Sequence, residues 1–175
     1  LLTQLAENEV DLVVMGQPPE DMDLGYEAFL ENPLVIVAPP EHALAKEKKI
    51  PLQRLEQEVF LVREPGSGTR IAMERFFAQH DVRITTGMEV GSNEAIKQSV
   101  QAGLGLGLLS RDTVEMELAL GRLVILNVAE FPIMRYWYVV HRHGKRLSVV
   151  AQAFKDYLIK ESPALLGKGE QKLPQ

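Results

Sequence analysis

The sequence predicts an α/β fold, and three observations carry that prediction. Short apolar runs with strand character alternate with helical patterns along the chain. Glycine and serine cluster where strands give way to helices, as in "EPGSGTR" (64–70) and "VGSNE" (90–94). The middle, roughly 58–128, reads as one complete alternating unit, whereas the flanks make a second unit only if taken together.

The elements follow in order. Residues 1–8 read as the end of a helix, because Leu1, Leu2 and Leu5 share a helical face. This helix begins with neither Met nor cap, so the expectation is a chain that starts inside a domain. "DLVVMG" (11–16) is an apolar run closed by Gly16, hence a buried strand. "YEAFL" (26–30) and "PLVIVAP" (33–39) are extended, and 40–55 is a polar connector in which Pro51 starts a short helix. Strands are expected at 58–62, 86–91, 106–110, 122–128 and 134–142. Helices are expected at 69–80, 93–103 and 112–121, the last closed by Gly121. "LSVVAQAFKDYLIKE" (147–161) is amphipathic, with Val150, Phe154, Tyr157 and Leu158 on one stripe. The resulting division is lobe I from 1–40 and 132–162, lobe II from 41–131, and a disordered tail over 163–175. Two lobes joined by two crossings leave a cleft, a common place for a ligand.

Composition narrows the function. The 175 residues are 46% apolar and 25% charged, ordinary for a globular protein. A net charge of −5 argues against a nucleic-acid surface on this piece, since phosphate backbones need clustered Lys and Arg. The absence of cysteine removes disulfide, thiolate and zinc–thiolate chemistry. The longest apolar runs are too short to span a bilayer. A cytoplasmic location fits these features.

The two strand–turn–helix junctions carry the chemistry. In "EPGSGTR" the glycines let backbone N–H groups approach a ligand, and Ser67 or Thr69 occupies the N-cap position. Free N–H groups and the positive end of the helix dipole favour an anion. Arg70 in the first turn opposes that dipole, a conflict that a bound anion removes. The alternative is a plain helix cap with Arg70 paired to Glu74. "EVGSNEAIKQSV" repeats the arrangement with Ser92 or Asn93 as cap, and ordinary capping is again the alternative. No Gly-Lys-Ser/Thr follows the first turn, so it is not a nucleotide P-loop.

Other signals are weaker. "GLGLGLL" (103–109) follows a helix and precedes a strand, the reverse of a dinucleotide fingerprint, so its glycines end a helix and permit tight packing. His42, His80, His141 and His143 lack the company a metal site needs and read as solvated. There is no Gly-x-Ser-x-Gly elbow and no assignable acid–base pair, so no enzyme is expected. "IAMERFFAQH" is apolar over a broad arc, as a deeply buried helix or a partner surface would be.

Five segments in fixed order carry a family resemblance: "DLVVMGQPPEDMDL", "FLENPLVIVAPPEHALA", "FLVREPGSGTRIAMERFFAQH", "GSNEAIKQSVQAGLGLGLLS" and "GRLVILNVAEFPIMRYWYVVHRHGKRLS". Over about residues 1–160 the chain resembles the effector-binding domain of LysR-type transcriptional regulators. "EPGSGTR" and "GSNEAIKQSV" look most like the subgroup controlling carbon-fixation (RuBisCO) operons.

The resemblance implies a fold like type 2 periplasmic binding proteins, with a small effector in the cleft and no resident cofactor. The effector would be a phosphorylated metabolite such as phosphoglycolate, a 2-oxo acid or a nicotinamide nucleotide. Ser67, Gly68, Thr69, Arg70, Ser92 and Asn93 would face it from one lobe, and Gln17 and Pro18 from the other. It further implies a homodimer through the lobes' side faces, with the helix near 70–80 and the strand near 86–90 at the interface. A homotetramer at full length, DNA binding through a winged helix-turn-helix outside this sequence, and contact with RNA polymerase follow in the same way. The family's first strand, its Ser/Thr-rich turn and first helix are expected upstream of Leu1. The competing expectation is a periplasmic receptor for a small anion on the same fold.

Overall fold

Among the described residues, 1–165 of the chain in this computed structural model, eight strands form two separate sheets. The chain divides into two units, Leu1–Asn32 with the segment from Arg135 onward, and Pro33–Met134. The expected tail lies partly outside the described residues, which end at 165.

The first unit is built from two pieces of chain. Strands β1 (Val13–Met15) and β2 (Leu24–Glu31) flank β8 (Tyr136–Arg142), both antiparallel to it. On one face Val13 and Val140 pack with Leu5 of helix α1 (Leu2–Ala6). On the other, Phe29, Leu30 and Val139 pack with Leu158 and Ile159 of helix α5 (Val149–Leu165).

Helix α5 corrects an expectation. Its inward face is Ala151, Lys155, Leu158 and Ile159, at spacings of four, seven and eight. Val150, Phe154 and Tyr157 are 79%, 48% and 51% exposed, so the predicted apolar stripe faces outward except for Leu158. Lys155 also lies on this face, its side chain 13% exposed and its ammonium paired with Glu27 of β2. The helix also runs to Leu165, into the stretch expected to be tail.

The second unit holds five strands in the order β5-β4-β6-β3-β7. These are β3 (Leu34–Ala38), β4 (Val59–Arg63), β5 (Thr85–Val90), β6 (Leu106–Ser110) and β7 (Val124–Ile125). Strands β5, β4 and β6 are mutually parallel, and β3 runs antiparallel to β6 and β7. Helices α2 (Gly68–Gln79), α3 (Asn93–Gln101) and α4 (Glu115–Ala119) follow β4, β5 and β6. Both faces of the sheet are covered. Phe60 and Val62 pack with Met73 and Phe77 of α2, while Leu61 and Val37 pack with Ile96 and Val100 of α3. Burial on both faces is why "VFLV" and "PLVIV" read as unbroken apolar runs. Phe60 and Phe77 meet edge to face at 5.7 Å, and Phe76 and Phe77 each approach Phe131.

The boundary between units falls earlier than expected. Strand β3, placed in lobe I by a boundary at residue 40, lies inside the five-stranded sheet because it pairs with β6 from Leu34 to Val37. The expected strand over 122–128 shrinks to Val124–Ile125, although Leu123, Leu126 and Val128 are buried. The segment pairs only briefly with β3 and then bridges Ile50 through Val128.

The glycines of "GLGLGLL" act as the sequence indicates. Gly103 ends α3 at φ +75°. A Cβ on Gly107 would lie 2.9 Å from Val100 and 3.0 Å from Ile96, so α3 sits directly on β6. The histidines are more engaged than expected. His42 caps a 3-10 turn through Nδ1, His80 Nδ1 bonds the Phe76 carbonyl, and His141 lies over Gly25. Among the described residues no cluster could hold a metal ion, and no helix is long and apolar enough to cross a membrane.

Candidate functional site

Parallel pairing of β4 with β5 places their carboxyl ends side by side, with Arg63 opposite Val90. The two predicted turns therefore leave the same edge of the sheet, where open α/β sheets gather their ligands. Residues 64–67 form a β-turn closed by Ser67 N–H donating to Glu64 O at 3.2 Å. Pro65 and Gly66, the latter at φ +86°, occupy the central positions, as a type II turn requires. No Cβ would meet anything at Gly66 or Gly91, so both turns are open above the backbone.

The N-termini of α2 and α3 differ in one respect. Ser92 Oγ accepts from Ala95 N–H at 3.1 Å and caps α3. Ser67 is the N-cap residue of α2, yet its side chain makes no cap bond, and no acidic residue lies in the first turn of α2. The Ser67 hydroxyl is thus not used as a cap, and no carboxylate within the first turn of α2 offsets its dipole. Ser67 and Thr69 are half-buried beside it and Gly68 is exposed. Asn93, half-buried, is the first residue of α3.

Arg70 is otherwise engaged. Its Nε bonds Glu74 at 2.8 Å, and its Nη1 bonds Glu89 at 2.6 Å and the Arg63 carbonyl at 3.0 Å. The Glu74 bond, with that to Glu89 behind it, pushes the guanidinium pKa up. The geometry matches the plain pairing with Glu74, extended across to β5. Arg70 braces α2 against the sheet edge.

The cation that joins the two turns is Arg63, which sequence reasoning missed. Its Nε and Nη2 grip both oxygens of Glu64 at 2.7 and 2.8 Å, and its Nη1 donates to Asn93 Oδ1 at 2.6 Å. The hydrogen bond from Arg63 holds the Glu64 carboxyl below the usual carboxylate range. With Oδ1 taken, Asn93 keeps its amide hydrogens for other acceptors. An Arg closing an apolar strand just before a glycine turn was visible in "FLVREPG"; its partner thirty residues on was not.

Gln17 and Pro18 lie in the first unit just beyond β1, Gln17 exposed and Pro18 buried. Of the eight predicted residues, the sheet edge therefore brings six into one unit. Behind the site, Lys97 of α3 is 7% exposed and bridges Glu94 at 2.6 Å and Glu117 at 3.0 Å. It fixes α3 against α4 and was also missed.

Known proteins place the chain. The family described as LysR substrate binding domain matches residues 1–163. A RuBisCO operon transcriptional regulator of Allochromatium vinosum is 51% identical over 162 residues, which are 93% of this chain and 54% of that protein. The transcriptional activator CmpR of Synechocystis is 46% identical over 165 residues, 94% of this chain and 54% of that protein. The chain thus spans about half the length of the curated relatives it matches. Among solved structures, the Synechocystis CcmR regulatory domain in complex with 2-PG superposes with a TM-score of 0.85 at 46% identity, over 90% of this chain and 76% of that one. The effector-binding domain of QuiR, at 21% identity, shares the fold with a TM-score of 0.80, over 93% of this chain and 77% of that one. The fold is the two-lobed α/β fold of such regulatory domains, like that of type 2 periplasmic binding proteins. On the family match and these identities, the chain belongs to the LysR substrate-binding domain family.

Proposed function

We propose that this chain is the effector-sensing domain of a cytoplasmic transcriptional regulator of carbon-fixation genes, and that its effector is a small phosphorylated anion. The anion sits at the paired turns 64–70 and 91–93. Backbone N–H groups at the start of α2, the hydroxyls of Ser67 and Thr69, and the Asn93 amide donate to it. The observation that carries this reading is that the Ser67 hydroxyl, at the N-cap position of α2, makes no cap bond and so keeps its hydrogen for a ligand at that helix end. The 2-PG complex of CcmR, at 46% identity, supports the choice of a phosphorylated effector. The remaining predicted contacts, Gln17 and Pro18, belong to the same proposal, and Arg70 enters it as a brace.

The regulator itself binds DNA through a winged helix-turn-helix outside this sequence. It pairs through α2 and β5, whose Ile71 and Met88 are 48% and 45% exposed. Strand β5 is exposed along nearly its whole length at the sheet edge, as a strand awaiting a partner would be. On this reading the chain senses an effector rather than catalysing a reaction, in keeping with its likeness to transcriptional regulators.

The test is calorimetric titration of the protein with phosphoglycolate, other phosphorylated metabolites and 2-oxo acids. One phosphorylated anion should bind, with affinity reduced about tenfold or more in a Ser67→Ala/Thr69→Ala double variant, as the loss of two hydrogen bonds to a charged group requires. Unchanged affinity in that variant would place the effector elsewhere.

A further inference from the structure

An anion among amide and hydroxyl donors is held more strongly with a guanidinium within reach, and at this site Arg70 is held by Glu74 and Glu89. Arg63 remains. Its fork is filled by the carboxylate of Glu64, the residue that opens the glycine turn. A carboxylate and a phosphate offer the same pair of acceptor oxygens to a guanidinium. Building on the effector site proposed above, we infer that Glu64 is an internal stand-in for the effector: its carboxylate holds the Arg63 fork in the free protein, and an incoming phosphate displaces it and takes the same two donors.

The two partners are unequal in the way such an exchange needs. The Arg63 side chain is 19% exposed and stays anchored through Nη1 to Asn93, so it keeps its aim when Glu64 leaves. The Glu64 side chain is 42% exposed and can turn into solvent. Its backbone is fixed by the bond from Ser67 N–H and by Pro65, so the exchange is a side-chain rotation that leaves the turn intact. The stand-in keeps the fork formed between ligands and raises the concentration at which the effector wins it. A ligand must out-compete one carboxylate, which favours doubly charged anions over singly charged ones.

The experiment is titration of the protein with phosphoglycolate, followed by calorimetry, on the wild type and on Glu64→Gln, Arg63→Gln, Arg63→Lys, the Arg63→Gln/Glu64→Gln pair and Ser67→Ala/Thr69→Ala. Thermal melts verify folding. Glu64→Gln should tighten binding about two- to fivefold, the range set by a part-exposed ion pair. Arg63→Gln should weaken it about tenfold or more, and Arg63→Lys, which keeps the charge without the fork, should fall between. In the Arg63→Gln background the gain from Glu64→Gln should vanish, because the two residues act as one unit. A gain that persists there makes Glu64 a source of simple repulsion and overturns the exchange. No gain from Glu64→Gln, alongside weakened binding in Ser67→Ala/Thr69→Ala, overturns the exchange and leaves the site standing. Binding untouched by Ser67→Ala/Thr69→Ala overturns the site and the exchange with it.

Discussion

Lys97 in α3 and Glu117 in α4 meet at 3.0 Å, the lysine 7% exposed and the glutamate side chain 14%. One Glu117 oxygen, Oε2, is buried without a hydrogen bond, so Lys97 is the principal compensation for that carboxylate. Replacing Lys97 with Met keeps the stem and removes the charge. Lys97→Met should destabilise the protein by roughly 1–3 kcal/mol, the cost of leaving a buried charged group unsatisfied. Urea unfolding measures it.

The same pair sets a pH dependence. The hydrogen bond from Lys97 outweighs burial and holds the Glu117 carboxyl below its ordinary 4.5. Burial opposes the charge on Lys97, but bonds to Glu94 and Glu117 overcome it and hold the amine above its ordinary 10.5. A depressed carboxyl contributes stability above its unfolded value and loses it as pH falls through the folded one. A raised amine contributes fully below its unfolded value and loses it as pH rises through the folded one. Stability from this pair is therefore complete between the two ordinary values. Between about pH 5 and pH 3, Lys97→Met should lose less urea stability than the wild type. Equal losses would mean that the pair does not shift the Glu117 titration.

The two cap serines should separate by experiment. Ser92→Ala removes a formed cap and should cost about 1 kcal/mol. Ser67→Ala removes no cap bond and should stay within roughly 0.5 kcal/mol of the wild type, while weakening anion binding. Paired melting curves and titrations show whether Ser67 serves the fold or the ligand.

Gly105 is the packing test. At φ +153° a Cβ there would sit 2.7 Å from the Val59 carbonyl oxygen, a backbone atom that cannot turn aside. Gly105→Ala should destabilise by about 1–3 kcal/mol in urea unfolding, as overpacking and backbone strain combine.

Much of this was legible in the sequence where the signal is local. "VFLV", "DLVVMG" and "LGLL" announce strands by apolar content, and "EPGSG" announces its turn by residue type alone. The misses depend on distant partners. The inward face of α5 includes Lys155, whose partner Glu27 is far off in sequence, so local periodicity points Val150, Phe154 and Tyr157 inward where the structure exposes them. The segment 122–128 has strand composition, yet its pairing depends on how much of β3 lies free beside it. At the site the turn residues were readable, but the Arg63–Asn93 bond spans thirty residues and became visible only once β4 and β5 lay parallel. For Arg70, the pairing with Glu74, four residues on, is legible in the sequence, and that with Glu89 is not.

The most direct test of the central claim is amide-resolved NMR of the 15N-labelled protein during titration with phosphoglycolate. The account predicts that the largest shifts fall on the amides of residues 67–70 and on the side-chain and backbone amides of Asn93, saturating together. Saturable shifts concentrated elsewhere, with these amides unmoved, would contradict it and make the glycine turn a structural element only.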